Sequence, residues 1–199
     1  MAAPTRWVTE NPDDHSHRYV AHFRSLVDQG KDLAGEARLI DAMLPRGARV
    51  LDAGCGQGRV GAALHAAGHV VVGVDADPVL VAAAAEQHPG PTWLVADLAD
   101  LDLAALGVDE AFDAVVLAGN VMVYLAPGSE RDVLARLRDH VVADGRIVAG
   151  FATGRAYTPD DLDADARAVG LEVEHRFATW DLRPWRDDAD WAVTVLHRP

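Results

Sequence analysis

Residues 49–61 constrain the fold more than any other stretch. Arg49-Val50-Leu51-Asp52 reads as a short apolar strand ending in an acid. Ala53-Gly54-Cys55-Gly56-Gln57-Gly58 then sets three glycines on alternate positions, and a helical spacing of Val60, Ala63, Leu64 and Ala67 starts at once. Glycines allow steep backbone turns and close approach by a ligand. The helix start supplies N–H groups without intrahelical partners. Strand, turn and helix start together make a nucleotide-type pocket. Gly56-Gln57-Gly58-Arg59-Val60-Gly61 also satisfies G-x-G-x-x-G, with Asp75 near the spacing of a ribose-binding acid. The run alone therefore implies a nucleoside-containing cofactor and leaves a dinucleotide open.

The rest of the chain alternates strand and helix patterns around that run. Helical spacing covers His15 to Asp28 and Glu36 to Leu44, with Pro45-Arg46-Gly47 closing the second. Residues 1–14 read as irregular, with Asn11-Pro12-Asp13-Asp14 as a turn or helix start. After a glycine C-cap at Gly68, Val70-Val71-Val72-Gly73-Val74-Asp75 is a continuous apolar run, the pattern of a strand covered on both faces. Asp77-Pro78 opens a helix as N-cap and N1 proline. Further strands are read at Trp93–Asp97, Phe112–Ala118 and Ile147–Phe151. Ser129 with Asp132 suggests a capping box, and Asp144-Gly145 a turn. At the end, Leu171, Val173, His175 and Phe177 alternate with charges as an edge strand does, whereas Trp191–Leu196 is more apolar.

This gives five β/α units and a closing hairpin whose more apolar last strand inserts into the sheet. The fold class is α/β: a doubly wound, seven-stranded, mostly parallel sheet with an antiparallel last strand. A chain of 199 residues is read as one cofactor-binding domain with room for a core. Net charge is −13, so the overall field repels phosphate backbones, and nucleic acid is not the expected partner. One cysteine, Cys55, admits no disulfide within the chain, and no apolar segment suggests a leader or a membrane span, so a cytoplasmic location is expected. Cys55 reads as a small packed residue rather than an activated thiolate.

Leu51-Asp52-Ala53-Gly54-Cys55-Gly56-Gln57-Gly58 resembles the first motif, acidic-x-Gly-x-Gly-x-Gly, of class I S-adenosylmethionine-dependent methyltransferases, and the resemblance runs over residues 46–199. It implies an N-terminal helical cap segment over 1–45 and a Rossmann-like S-adenosylmethionine-binding domain over 46–199. It implies that Gly54, Gly56 and Gly58 line the methionine and ribose side. Asp52 would orient the turn, and Asp75, with Ala76 beside it, would hold the ribose hydroxyls. Asp97 and Leu98 would meet the adenine; Ala118, Gly119 and Asn120 would flank the sulfonium and the acceptor. A dinucleotide domain would more often continue to a parallel sixth strand and a substrate domain, whereas this chain closes with a hairpin at Pro199. Three readings stand at this point: a methyltransferase, a non-catalytic S-adenosylmethionine-binding protein, and an NAD-binding oxidoreductase.

The acceptor is expected to be a small molecule. Asn120-Val121-Met122-Val123-Tyr124 departs from the Asn/Asp-Pro-Pro-aromatic signature of exocyclic-amine DNA methylases, and no cysteine stands where a C5-cytosine nucleophile would. Catalytic residues are not assigned; His17, Tyr19, His22 and Tyr124 are candidate bases by position only. Arg24, Lys31 and Arg59 are candidate partners of a methionine carboxylate. Trp180, Trp185 and Trp191 could form an apolar acceptor wall or belong to the core. Asp13-Asp14-His15-Ser16-His17 has metal-compatible residues but sits at a helix start, where the acids cap N–H groups, so no metal is expected.

Overall fold

The computed structural model describes residues 3–11 and 14–199. Seven strands form one sheet: β1 (Arg49–Ala53), β2 (Val70–Asp75), β3 (Thr92–Val95), β4 (Phe112–Leu117), β5 (Val141–Ala152), β6 (Glu172–Phe177) and β7 (Trp191–His197). Their order is β3-β2-β1-β4-β5-β7-β6. The five strands β3-β2-β1-β4-β5 are parallel, and β7 enters antiparallel between β5 and β6. The order reverses direction at β1, so β1 and β4 flank the point where such sheets bind ligands.

Among the described residues eight α-helices connect and cover the strands: α1 (Arg6–Thr9), α2 (His15–Asp28), α3 (Gly35–Met43), α4 (Arg59–Ala66), α5 (Pro78–Gln87), α6 (Val121–Tyr124), α7 (Glu130–His140) and α8 (Pro159–Ala168). Side chains alternate along each strand, so every buried strand feeds two cores. Leu51, Val72, Val115 and Ile147 face α7 and α8, meeting Leu134, Leu137 and Leu162. Val50, Val71, Val116 and Val148 face the other way, onto Ile40 of α3 and Val60 and Leu64 of α4. Burial on both faces is why the strands read as unbroken apolar runs. In contrast, α1 and α2 bury no residue fully.

Local chemistry sets the helix starts. Asp77 caps α5, its side chain accepting from Val79 N–H and Leu80 N–H, with Pro78 in the first turn. Thr158 and Asp161 form a reciprocal capping box at α8. The box expected at Ser129 is absent. Its hydroxyl instead donates to Ala126 O at 2.8 Å, and Glu130 Oε2 takes the Gly128 N–H at 2.8 Å.

Arg6–Thr9, in the stretch read as irregular, forms the short helix α1, and two boundaries depart from the sequence reading by more than one residue. β5 begins at Val141 rather than Ile147, because Asp144 (φ 62°) is absorbed as an irregularity inside the strand rather than ending it. β3 ends at Val95, which leaves Asp97 in the following loop to cap a 3-10 turn (Leu98–Asp100) through Ala99 N–H at 2.9 Å. The turn expected at residues 11–14 rests partly on Pro12 and Asp13, which lie outside the described residues.

Candidate cofactor and acceptor site

A cavity of about 320 Å³ opens at the carboxyl ends of β1, β2 and β4. The turn after β1 is hung from the neighbouring strand, with Gly54 N–H and Cys55 N–H both donating to Val74 O at 2.8 and 3.0 Å. Asp52, almost fully buried, takes the Gly61 N–H of α4 at 2.8 Å. It thereby ties strand to helix across the turn. Burial pushes its carboxyl up to about 7, against the pull of the Gly61 bond and of Arg59.

Asp75 does for the outer side of the turn what Asp52 does for the inner. Its Oδ2 accepts from Gly56 N–H at 2.8 Å and its Oδ1 from Asp77 N–H at 2.9 Å. Burial raises its pKa as well. The cavity lining includes Asp52, Gly54, Gly56, Asp75, Ala76, Asp97, Leu98, Ala118, Gly119 and Asn120, so these sequence candidates converge on one space.

Gly58 does not join them. It caps α4 at φ 83°, and a Cβ there would lie 2.7 Å from the Trp93 ring. Its requirement for glycine is set by backbone conformation and by Trp93, not by a ligand face. Gly54 and Gly56 do face the cavity, where a Cβ would meet Val121 at 2.5 Å and Tyr19 at 3.8 Å respectively.

Asn120 stands at the end of β4 with φ 73° and carries the chain into α6. Its Oδ1 accepts from Ala152 N–H at 2.8 Å, which pins the turn to β5. Asn120→Ala loses that bond and forces a Cβ-bearing residue without local polar compensation into the left-handed region. A loss of about 2–3 kcal/mol in unfolding free energy is expected. Urea titration checks this: an unchanged midpoint would mean the turn is held by other contacts.

The part of the cavity's roof that the sequence did not reveal is α1, in a stretch read as irregular. From α1, Trp7 donates its Nε1–H to Asp77 Oδ2 at 3.0 Å, and Ser16 of α2 donates to the same oxygen. Arg6 donates to Leu125 O at 3.2 Å and to Glu130 Oε1 at 3.1 Å. These bonds draw α1 and the start of α2 over the cleft from α5 on one side to α6 and α7 on the other. Trp7 packs edge-to-face with His15, Tyr19 and Tyr124, with ring centroids 4.5, 5.4 and 5.5 Å away. All four rings line the cavity.

His15 thus replaces His17 and His22, which do not line the cavity, whereas Tyr19 and Tyr124 do. Trp180, Trp185 and Trp191 do not line the cavity. Trp180 and Trp191 pack against the α3–α4 core, and Trp185 stacks with Arg176 at 5.5 Å. Among the candidate cations, Arg59 reaches the cavity but is bonded to Glu36 (Nη1 to Oε2, 2.8 Å) and to Leu33 O at 2.9 Å. Arg24 and Lys31 line a separate surface depression beside it. Burial, then the charges of Asp52 and Asp75, push the Cys55 thiol up, so it stays protonated and is no activated nucleophile. Among the described residues no His/Cys/Asp/Glu group is arranged to hold a metal.

Residues 50–145 match the family model described as a methyltransferase domain. A TehB-like SAM-dependent methyltransferase from Corynebacterium glutamicum is 42% identical, covers 94% of this chain and 100% of its own, and superposes with a TM-score of 0.88. The chain belongs to the S-adenosylmethionine-dependent methyltransferase family. The CcbJ methyltransferase from Streptomyces caelestis shares the fold at 20% identity, with a TM-score of 0.72 over 83% of this chain and 94% of that one. Hemagglutinin 1 of Eikenella corrodens is 30% identical over 154 residues, which is 75% of this chain and 48% of that protein. The chain therefore spans about half the length of that relative.

Family membership sets aside the dinucleotide reading of the glycine turn. The residues present also fit S-adenosylmethionine chemically. Asp75 presents a carboxylate for a vicinal diol, Gly54 and Gly56 leave space where side chains would intrude, and the buried Gln57 Oε1 has no hydrogen-bond partner among the described residues. Among those residues no helix is long and apolar enough to cross a membrane.

Proposed function

We propose that this protein transfers a methyl group from S-adenosylmethionine to a small-molecule acceptor. The observation that carries the reading is the convergence of Asp75, the glycine turn, Asp97 and Asn120 on one cavity beneath an aromatic roof. Asp75 holds the ribose hydroxyls, with Ala76 beside it. Asp97 and Leu98 hold the adenine, and Gly54 and Gly56 pass close to the methionine and ribose. Asp52 sets the turn and faces the amino group. Residues 1–45 act as a cap segment over a binding domain at 46–199, and the single buried thiol suits a cytoplasmic setting. When bound, the cofactor supplies a methyl group already activated by a sulfonium charge. The chain's own task is then to orient the acceptor and exclude water, which needs no fixed catalytic triad.

The test is calorimetry with S-adenosylhomocysteine and with NAD. Binding of the first and not the second is expected; NAD binding alone would sink the proposal. The same titrations read Asp52. Its raised pKa means that the folded protein binds more protons than the unfolded chain between about pH 4 and pH 7, so Asp52 lowers stability as pH rises through that window. A ligand ammonium beside it favours the carboxylate and lowers that pKa. Binding at pH 7 should therefore release roughly half a proton, seen as a dependence of the heat on buffer ionisation enthalpy. Asp52→Asn should abolish that dependence, and an unaltered slope would remove Asp52 from contact with the amino group.

A further inference from the structure

The roof over the cavity has a chemistry of its own. It presents four aromatic rings, Trp7, His15, Tyr19 and Tyr124, of which Trp7 is the hub. Burial pushes the Tyr19 phenol up, so it stands neutral. Charge around the cavity is one-sided. Of the four aspartates that line it, Asp52, Asp75 and Asp97 are given to the cofactor above, and Asp77 is left beside the roof, hydrogen-bonded to Trp7; the one permanent cation among the described lining residues is Arg59. Arg59 is neutralised by Glu36, in a pair where both side chains are largely buried. Arg6 of α1 is likewise taken by Glu130.

An acceptor entering beneath this roof meets aromatic rings and the Asp77 carboxylate, and among the described lining residues no unpaired guanidinium or ammonium to receive an anion. Aromatic rings attract cations and gain strength where water is excluded. Acidic surroundings penalise an anion and favour a cation over distances of several ångströms. From this, and resting on the methyl-transfer reading above, we propose that the acceptor is an amine, recognised on arrival as its ammonium form by the Trp7–Tyr19–Tyr124 box. To become a nucleophile the ammonium must give up one proton. His15, on the same roof, is placed to take it, leaving a neutral amine with a free lone pair and an imidazolium. The same walls disfavour oxyanion and carboxylate acceptors relative to an ammonium.

Three probes of one shape test this on protein saturated with S-adenosylhomocysteine: benzylammonium, benzyl alcohol and benzoate, followed by calorimetry at pH 7. Failure of S-adenosylhomocysteine itself to bind would fail the cofactor reading, and this inference with it, before any probe is added. With the cofactor product bound, benzylammonium should bind at least tenfold tighter than benzyl alcohol, and benzoate weakest. Tyr124→Leu should weaken benzylammonium at least fivefold while changing benzyl alcohol less than twofold. It should leave S-adenosylhomocysteine affinity within about threefold. Benzoate binding as well as the alcohol, no saturable benzylammonium binding, or an unaltered benzylammonium affinity in Tyr124→Leu would each overturn the proposal.

Discussion

Replacing Asp75 by alanine should weaken S-adenosylhomocysteine binding roughly a hundred- to a thousandfold. The carboxylate uses one lone pair of each oxygen inside the protein, on Gly56 N–H and Asp77 N–H. On the reading proposed above, the remaining lone pairs would accept from the two ribose hydroxyls. Two hydrogen bonds to a charged acceptor, lost from a buried site, amount to about 3–4 kcal/mol. The alanine also leaves the Gly56 and Asp77 N–H groups without their acceptor, so the turn loses its outer tie. Asp75→Asn separates these effects. It keeps the volume and one acceptor oxygen, but its amide NH₂ must face Gly56 N–H or Asp77 N–H, donor against donor. Binding should therefore fall nearly as far as in the alanine variant, with a small drop in melting temperature. Calorimetry checks the first and thermal unfolding the second. Affinity within threefold of the native protein in both variants would remove Asp75 from the site.

The lower half of this site was legible in the sequence, because it is written in contiguous residues. Strand, glycine turn and helix start occupy one run, and Asp75 and Asp97 stand at or just past the ends of apolar strands, where side-chain alternation and turn chemistry are local. The order of the sheet was legible for a similar reason: the contrast between a charge-alternating β6 and an apolar β7 reports which strand lies at the edge. The roof was not. α1 is four residues long with no buried side chain, so it carries no periodic signal. Its meaning lies in bonds to residues about 70 and 124 positions away, Trp7 to Asp77 and Arg6 to Glu130. For the tryptophans of the late loop the sequence left a binding wall and a core role both open, and the choice lies in packing: Trp180 covers Gly150, where a Cβ would lie 2.2 Å from its ring. Gly58 matched the motif for a reason the motif does not state, since its neighbour is Trp93 and not the cavity.

That neighbour makes the largest expected stability effect. Gly73 and Trp93 are paired residues on adjacent strands, and the indole lies across the glycine. A Cβ on Gly73 would be 2.2 Å from Trp93 Cε3, on Gly61 2.9 Å from Cη2 and on Gly58 2.7 Å from the same atom. Three glycines from β2, α4 and the turn thus form one seat, and the ring is fixed in it by Nε1–H donating to His88 O at 3.0 Å. Gly73→Ala must displace the indole or part the strands, an overpacking cost of about 3 kcal/mol. For a chain of this size that lowers the melting temperature by roughly 6–12 °C. Trp93→Leu removes the obstruction at the price of a cavity, so the double variant should be more stable than the sum of the two losses by about 1–3 kcal/mol. The glycine turn supplies the functional readout. Because Gly58 rests on the same ring, Gly73→Ala should also weaken S-adenosylhomocysteine binding, and the double variant should regain part of it. Gly58→Ala should not be rescued in the same way, since its φ of 83° strains any Cβ-bearing residue even with the ring gone. Additive losses for Gly73 and Trp93 would show that the seat is not what fixes the turn.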